Sequence, residues 1–455
     1  MVFSLASFLA LALPLPSAEP RRPNVIVILI DDMGWGDLGF AGSDFYESPN
    51  IDRLAKEGLI FTHGYSSCPV CSPTRASLMT GKYPARLHLT DWLPGRKDLP
   101  SQKLARPPIQ QHLPLEEVTI AEMLKPAGYV SASIGKWHLG GEGFLPTNQG
   151  FDKNVGGTQT GSPPMGYFKF KTPTLSAADD KEYLTDRLTD EALQFIDDNK
   201  AKPFFLYLPH YTVHIPLQAK EALIERYRKK APGKKHHNAI YAAMIHSLDE
   251  GIGRIMKKLD DLKLTDDTIV VFTSDNGGLS VPEGKNTPAT SNAPLRTGKG
   301  YLYEGGIRVP WIFRCPKRIH LGSTDYPIIT ADLFPTIRDL AGVKANPKIP
   351  CDGISLKPIL DMVDNPKREA IYWHYPHYSN QGGKPGGAIR SGDWKLIEFY
   401  EDDRIELYNL KNDSSEKNDL AAKEVETTNR LKKMLHDWRK SVDAQMMTPN
   451  PNYKK

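Results

Sequence analysis

The feature that most constrains the fold is a short apolar run that ends in two acidic residues. Residues 24–30 read NVIVILI and are followed directly by Asp31 and Asp32. A run without polar alternation is typical of a strand buried on both faces, as in a parallel sheet. Similar runs recur at 129–134, 204–208, 268–273 and 307–313, and helical patterns lie between them at 115–124 and 241–259. This alternation predicts a doubly wound α/β sheet.

The chain changes character near Ile359. Short strand-like segments follow at 369–375, 387–390, 394–399 and 405–410, and an amphipathic helical pattern covers 427–442. We therefore expect a main domain over residues 23–358 and a smaller α+β subdomain with an antiparallel sheet over 359–445. Two long segments without regular patterning, 93–114 and 279–295, are expected to be functional loops.

The N-terminus has the pattern of a signal peptide over residues 1–18. Val2 to Leu13 is apolar apart from two serines, and small residues follow at Ser17 and Ala18. The apolar stretch is too short to span a bilayer. We therefore expect an exported protein, periplasmic or secreted, with no membrane span.

Composition excludes several other classes of protein. Of the 455 residues, 40% are hydrophobic and 25% charged, as in ordinary globular proteins. A formal net charge of +4 is too small to indicate a nucleic-acid partner. The four cysteines are too few for a disulfide-stapled scaffold. Cys315 and Cys351 are one pair that an oxidising compartment would permit, but sequence does not establish the pairing.

Polar side chains collect where the predicted strands end. In sequence order these are Asp31, Asp32, Lys136, His138, His210, His214, Asp275 and Asn276. Ligands of open α/β sheets bind at the carboxyl ends of the strands. The carboxylate and amide oxygens suit Ca²⁺ or Mg²⁺ better than Zn²⁺. For one acidic pair a helix cap or a solvated turn would be the better interpretation, but two pairs after two apolar strands favour a metal.

A further motif, which begins at Cys71, resembles the signature of a known enzyme family. Cys68 and Cys71 form a C-x-x-C pair, but no second such pair supports a zinc site. Residues 71–75, Cys-Ser-Pro-Thr-Arg, resemble the C-x-P-x-R signature of type I sulfatases, in which the cysteine is converted to formylglycine before folding. The resemblance extends in order through 24–34, 135–140, 273–277, 299–310 and 388–408, and covers the chain from about Pro23 to about Trp438.

The resemblance implies an alkaline-phosphatase-like fold, with the main domain catalytic, and a role for each matching residue. Calcium would be held by Asp31, Asp32, Asp275, Asn276 and the modified Cys71. Arg75 would hold the formylglycine hydrate, Lys136 and Lys299 the sulfate oxygens, His138 the hydrate hydroxyl, and His214 would lie near the leaving oxygen. Thr158, Thr160 and Ser162 compete for one sulfate contact. His210, His374, His377 and Arg390 are candidates for substrate binding, with packing roles as the alternative for each.

The chemistry of sulfate esters supports the same residue types. A spread negative charge and a poor alcohol leaving group call for cations around the sulfate and a proton for the leaving oxygen. The expected function is therefore calcium-dependent removal of sulfate from a carbohydrate. Export and the stretch 374–378, which resembles bacterial polysaccharide sulfatases, favour a sugar substrate. The expected partners are a sulfated carbohydrate and a formylglycine-generating maturation enzyme.

Two other functions stay open at this point. Phosphate and sulfate are both tetrahedral, so a phosphonate or phosphate ester hydrolase of the same superfamily would carry a similar site. A non-catalytic protein that binds sulfated glycans is the alternative outside enzymes. The presence of Cys71, Arg75 and all the metal residues disfavours it.

Overall fold

The computed structural model describes residues 22–454. Within them the strands are β1 Asn24–Ile30, β2 Leu59–Phe61, β3 Gly64–Tyr65, β4 Leu104–Ala105, β5 Val130–Ile134, β6 Lys153–Val155, β7 Lys171–Thr172, β8 Leu175–Ser176, β9 Phe204–Pro209, β10 Thr268–Ser274, β11 Trp311–Arg314, β12 Gly322–Thr324, β13 Ile328–Ile329, β14 Ile371–Tyr375, β15 Gly386–Ser391, β16 Trp394–Phe399, β17 Ile405–Asn409 and β18 Thr448–Pro449. The α-helices are α1 Pro49–Lys56, α2 Cys71–Thr80, α3 Pro84–Leu87, α4 Ile120–Leu124, α5 Leu184–Asn199, α6 Glu221–Arg228, α7 Ala239–Asp261, α8 Glu304–Ile307, α9 Leu333–Leu340, α10 Lys357–Leu360 and α11 Val425–Ser441.

An eight-stranded mixed sheet forms the centre, in the order β12-β2-β11-β10-β1-β9-β5-β6. The five strands from β10 to β6 run parallel, whereas β11 is antiparallel to both β10 and β2. The expected strands at 24–30, 129–134, 204–208 and 268–273 are confirmed as β1, β5, β9 and β10. The parallel strands place their carboxyl ends along one edge.

The alternation of side chains along β1 explains why helices cover both faces of the sheet. Ile26, Ile28 and Ile30 pack in one core with helices α1, α5, α6 and α7. Val25, Val27 and Leu29 pack in a second core on the other face, with helices α2, α4 and α9. Because both faces of β1 are covered, every residue from Val25 to Ile30 is apolar, which is the pattern read from the sequence.

A second, four-stranded antiparallel sheet lies in the C-terminal part of the chain. It has the order β14-β15-β16-β17 and packs with α11 in a third core, joined by Tyr65 and Tyr303 from segments that precede this sheet in the chain. The predicted strands and terminal helix of this region agree with the structure. The boundary near Ile359 stays a prediction.

Three expectations need correction or fall outside the described chain. The run 307–313 is not one strand, because α8 ends at Ile307 and Pro310 precedes the start of β11 at Trp311; proline has no N–H for a ladder. The helix expected over 115–124 begins only at Ile120, where Thr119 caps it. The predicted signal peptide lies outside the described residues.

The membrane and disulfide expectations can be examined directly. No helix within residues 22–454 has the length and apolarity needed to cross a membrane. Cys315 and Cys351 are both free thiols. The Cys315 Sγ contacts the carbonyl of Asp266, whereas the Cys351 Sγ contacts the carbonyls of Gly81 and Gly353. The pairing that an oxidising compartment would permit is therefore not formed.

Candidate active site

The carboxyl ends of β1 and β10 bring two polar pairs together. The strands are parallel neighbours with Ile30 opposite Ser274, so the two residues that follow each strand lie side by side. Asp31, Asp32, Asp275 and Asn276 are all at most 1% exposed. The backbone N–H of Asp32 donates to Asp275 Oδ1 at 3.2 Å, and Asn276 Nδ2 donates to Asp32 Oδ1 at 2.8 Å. Three carboxyl groups and an amide are thus concentrated in one water-poor place.

Two buried oxygen atoms of this cluster accept no hydrogen bond from the described residues, although Arg75 Nη2 lies 3.6 Å from Asp31 Oδ1. Asp31 Oδ1 and Asn276 Oδ1 are buried and accept no hydrogen bond. A buried acceptor without a donor costs free energy, and such groups are uncommon in folded proteins. Single ligand atoms of Asp31, Asp32 and His214 lie within 4.8 Å of one another. A hard cation coordinated by the two unpaired oxygens would satisfy them, so this donor set fits Ca²⁺.

Three cations surround the acidic cluster. Lys136 Nζ lies 2.7 Å from Asp31 Oδ2, and Lys299 Nζ lies 2.7 Å from Asp32 Oδ2. The fully buried Arg75 donates through Nε and Nη2 to Asp275 Oδ2, at 3.0 and 2.7 Å. Its Nη1 also donates to the backbone carbonyl of Lys136 at 3.1 Å. These contacts hold all three cations in place, and each lysine keeps further N–H donors for another anion.

The pKa values of the neighbouring Asp31 and Asp32 are shifted in opposite directions. Burial, reinforced by Asp275 and Asp32, raises the pKa of Asp31 to about 8 despite Lys136 and Arg75. Burial would also raise the pKa of Asp32, but the Lys299 ammonium and His214 hold it below its usual range.

Cys71 occupies the first position of α2, with Val70 as the extended residue before it. Its Sγ lies 3.3 Å from His138 Nδ1, and His138 Nε2 lies 2.7 Å from the carbonyl of Leu93. Because a carbonyl only accepts, the Nε2 carries the proton and Nδ1 is the acceptor that faces the thiol. Burial raises the pKa of the Cys71 thiol against the pull of Lys136 and Lys299. The unmodified side chain is therefore held as a neutral thiol.

A cavity of about 610 Å³ opens above Cys71. Its walls are Val70, Cys71, Trp92, Leu93, Pro94, Gln111, His138, Gly140, Gln159, Thr160, Gly161, Ser162, His214, Glu283, Lys299, Asn380 and Gln381. Four of the six residues expected to be catalytic line it. The other two, Arg75 and Lys136, lie beneath the floor and are fully buried. Of the three competing hydroxyl residues, Thr160 and Ser162 reach the cavity.

The four residues considered for substrate binding do not line this cavity. His374 contacts the Tyr400 hydroxyl and the carbonyl of Gln445, both at 2.8 Å. Arg390 donates to the carbonyl of Gly392 and to the hydroxyl of Tyr65. These contacts are the packing roles that the sequence left open.

The other two histidines, His210 and His377, are also buried away from the cavity. His377 Nε2 lies 2.8 Å from Thr90 Oγ1, and its side chain borders a separate small cleft. His210 is 1% exposed, with neither ring nitrogen hydrogen-bonded, and burial lowers its pKa to about 3. Neither side chain lines the cavity above Cys71.

The residues that do form the outer wall were not found from the sequence. Trp92, Gln111, Gln159, Glu283 and Gln381 come from segments far apart in the chain. Their types are common on any surface, so no motif marks them. The sequence does indicate where such residues would lie, because the two long segments without regular patterning, 93–114 and 279–295, both contribute to the wall.

Comparison with known proteins agrees with this geometry. Residues 23–343 match the sulfatase family model, and residues 297–441 match the model of the N-sulphoglucosamine sulphohydrolase C-terminal region. A sulfatase of Formosa agariphila is 34% identical over 480 residues, covering 88% of this chain and 85% of that protein. Human N-acetylgalactosamine-6-sulfatase is 35% identical over 369 residues, covering 76% of this chain and 67% of the human protein.

Solved structures give the same result at the level of the fold. The crystal structure of Ps i-CgsB in complex with k-i-k-neocarrahexaose aligns with a TM-score of 0.79 at 31% identity, covering 93% of this chain and 94% of that one. The expected alkaline-phosphatase-like α/β fold with a smaller antiparallel sheet is thereby confirmed. The chain belongs to the sulfatase family and is a sulfuric ester hydrolase.

Proposed function

We propose that this sulfatase removes sulfate from a carbohydrate, with Ca²⁺ held at the ends of β1 and β10 and a formylglycine derived from Cys71. The observation that carries the proposal is the pair of buried oxygens that accept no hydrogen bond, Asp31 Oδ1 and Asn276 Oδ1. They belong to the acidic cluster whose charges act on Cys71 at the floor of the cavity. The full ligand set would be Asp31, Asp32, Asp275, Asn276 and an oxygen of the modified Cys71.

The position of Cys71 suits a formylglycine. Its hydrated aldehyde would supply one hydroxyl to attack sulfur and a second whose deprotonation releases sulfate, while Ca²⁺ would supply positive charge. A thiol could not complete the cycle in this way. An oxygen in the place of Sγ would be within reach of His138 Nδ1, which is the unprotonated nitrogen and accepts a proton there.

The surrounding cations would stabilise the charge that develops on sulfate. Lys299 lines the cavity and can donate to a sulfate oxygen while it holds Asp32. Lys136 and Arg75 would act from beneath the floor, where low dielectric strengthens their effect. Their ion pairs keep them in position before substrate arrives, so little reorganisation is needed during the reaction.

His214 would serve the leaving oxygen. Its Nδ1 donates to the carbonyl of Ile215 at 2.7 Å, which leaves Nε2 facing the site. Burial lowers the pKa of His214, with Lys299 adding to the effect. A bound sulfate ester brings negative charge next to the ring and favours its protonated form. Nε2 would then donate the proton that the departing alcohol requires.

A carbohydrate substrate is supported by the relatives and by the cavity wall. The human relative is named for a sulfated amino sugar, and Ps i-CgsB was solved with an oligosaccharide. Amide and hydroxyl side chains of Gln111, Gln159 and Ser162 offer hydrogen bonds to sugar hydroxyls, and Trp92 offers an apolar face. We further propose export, on the pattern of residues 1–18, and maturation by a formylglycine-generating enzyme.

The proposal is tested by mass spectrometry of the Cys71 peptide from protein made in its native host. An aldehyde at Cys71 is expected to lower the peptide mass by about 18 Da, and thiol labelling separates the hydrate from cysteine. The same protein is then assayed for sulfate, phosphate and phosphonate ester hydrolysis, with and without Ca²⁺. Unmodified Cys71 in fully active protein would refute the formylglycine route. Activity confined to phosphate or phosphonate esters would refute the substrate.

A further inference from the structure

The cavity has a strongly uneven distribution of charge. Its floor holds Cys71, His138, His214 and Lys299, whereas its outer wall is formed by neutral side chains and one carboxylate, Glu283. Among the described residues that line the cavity, Lys299 is the one lysine or arginine, and its ammonium is already paired with Asp32. An anion on the substrate other than the sulfate being cleaved would find no cation in the wall.

Glu283 is held in place by neighbouring residues. Gln381 Nε2 donates to Glu283 Oε2 at 2.5 Å, and the Glu283 backbone N–H donates to Thr287 Oγ1 at 2.7 Å. The backbone of Gln381 is itself held in place. Its backbone carbonyl accepts a hydrogen bond from the Tyr301 hydroxyl at 2.7 Å, and its backbone N–H donates to Ser379 Oγ. Within residues 22–454, no hydrogen bond to Glu283 Oε1 is present, so that oxygen remains able to accept one.

The nearby cations do not neutralise this carboxylate. Lys285 is exposed and is not among the residues that line the cavity. Arg96 donates to the carbonyl of Ser379 at 2.9 Å and borders the separate cleft that contains His377. The Glu283 charge therefore acts on whatever occupies the outer part of the cavity.

We propose that Glu283, positioned by Gln381, makes this enzyme selective for a neutral sugar with a single sulfate in the cavity. A free sugar hydroxyl donates to Glu283 Oε1, and a charge-assisted hydrogen bond of this kind is stronger than one between neutral groups. A carboxylate or a second sulfate at the same place would instead be repelled and would lack a partner. This inference rests on the proposed carbohydrate function and names the class of sugar.

The test compares matched sugars that differ in one charged group. The probes are N-acetylgalactosamine and galactose sulfated at C-4 or at C-6, and the corresponding 4,6-disulfates, with 4-nitrophenyl sulfate as a substrate that has no sugar. At the position that the enzyme cleaves, the wild-type kcat/KM for the monosulfated sugar should be at least about tenfold higher than that for the corresponding 4,6-disulfate. Glu283→Gln should narrow that ratio by about tenfold, because it removes the repelling charge but keeps the side-chain shape.

Three further variants separate an effect on specificity from an effect on folding. Gln381→Leu removes the positioning bond and should also narrow the ratio, mainly through KM. Glu426→Gln, on the exposed part of α11, changes the net charge equally and should leave the ratio unchanged. Thermal unfolding confirms that each variant is folded, and Glu283→Asp should restore part of the discrimination.

The outcomes distinguish this inference from the function beneath it. Equal turnover of monosulfated and disulfated sugars by the wild type, or a ratio that Glu283→Gln leaves unchanged, would overturn the role of Glu283 while the sulfatase function stands. Protein with mature Cys71 that cleaves 4-nitrophenyl sulfate but none of the sugars would overturn both the carbohydrate proposal and this inference.

Discussion

Arg75 shows how one side chain can serve both folding and charge placement. It is fully buried, yet its guanidinium is bound by Asp275 and by the carbonyl of Lys136. A buried arginine is tolerated only when its donors find acceptors. The same contacts tie the start of α2 to the ends of β5 and β10. The cluster is thus an electrostatic unit in which removing one member leaves another unpaired.

Removing the metal should separate catalysis from folding at the residue scale. We expect a chelator to abolish sulfate release and added Ca²⁺ to restore it, since the proposed ion would supply charge at the reacting oxygens. Asn276→Ala removes one proposed ligand oxygen and should raise the Ca²⁺ concentration needed for half-maximal activity by about tenfold or more. Titration of activity against free Ca²⁺ measures this. Asn346→Ala, on an exposed loop, serves as the control, and an unchanged Ca²⁺ requirement in Asn276→Ala would contradict the ligand assignment.

Replacing His214 tests the proposed proton donor. His214→Ala should lower kcat for a sugar sulfate by about 10²–10⁴-fold, because the alcohol would leave without a proton. The loss should be much smaller for 4-nitrophenyl sulfate, whose leaving group is stable as an anion. Comparison of the two substrates is the measurement, with His320→Ala as a control outside the cavity. Equal losses on both substrates would argue against proton donation.

At the scale of single elements, the apolar strands were predictable because their pattern has a single physical cause. β1 is covered on both faces, so each of its seven residues had to be buried, and they are. The strand expected over 307–313 was not predictable in this way, because an apolar run does not say where the backbone turns. Gly305 and Gly306, just before this run, lie in α8 against carbonyls of other segments, and that packing is a tertiary property.

The central strand should be sensitive to loss of volume. Ile28 is completely buried in the middle of β1, and Ile28→Ala would leave a cavity that the sheet cannot close. We expect the free energy of unfolding to fall by about 2–5 kcal/mol. Urea unfolding measures the change. Leu321→Ala, at a site 62% exposed, removes a similar side chain and should change stability by less than about 0.5 kcal/mol.

The loop at 158–162 approaches the His138 imidazole closely enough to exclude a side chain at Gly161. A methyl group on Gly161 would lie 2.5 Å from His138 Cε1. Gly161→Ala should therefore displace the imidazole from Cys71 and lower kcat by about tenfold or more, with little effect on unfolding. Gly36→Ala, where the nearest atom would be 4.0 Å away, is the matched control. Wild-type kcat in Gly161→Ala would show that the ring position is not critical.

At the scale of the whole molecule, a buried ion network joins the C-terminal sheet to the main chain segments. Lys395 on β16 lies 3.0 Å from Glu304 on α8 and 2.8 Å from Glu416, and all three side chains are completely buried. Burial raises the pKa of Glu416 to about 7 despite Lys395. Burial would also raise the pKa of Glu304, but Lys395, Arg308 and Arg390 together hold it below its usual range. Lys395 is the cation that both carboxyl groups share.

Lys395→Met should destabilise the fold in a pH-dependent manner. Without the ammonium, the pKa of the buried Glu416 carboxyl rises further above its unfolded value of about 4.3, and the pKa of Glu304 loses its strongest lowering influence, so the ionised carboxylates oppose folding more at higher pH. The loss should be about 3–5 kcal/mol near pH 7.5 and smaller near pH 4.5, where protonation removes the charge. Thermal unfolding at both pH values tests this. Lys433→Met breaks an exposed pair with Asp437 and should cost at most about 1 kcal/mol at either pH.

The floor of the site could be predicted from the sequence, but its walls could not. Asp31, Cys71 and Asp275 follow or begin regular elements, so local pattern and a family motif located them. The wall residues Trp92, Glu283 and Gln381 lie on irregular segments whose meeting depends on the tertiary fold. For the same reason, the sequence left His374 and Arg390 open between substrate binding and packing, and in the structure their side chains make packed contacts.

This separation between floor and wall has an evolutionary consequence. The groups proposed to break the S–O bond rest on strand ends and on a wholly buried helix, where most substitutions are costly. The groups that meet the rest of the substrate rest on loops, which tolerate insertion and exchange. Proteins with this fold can therefore change substrate specificity during evolution while they keep the same catalytic residues. Grafting the segments 93–114 and 279–295 between sulfatases is the corresponding route for an engineer who wants a new substrate.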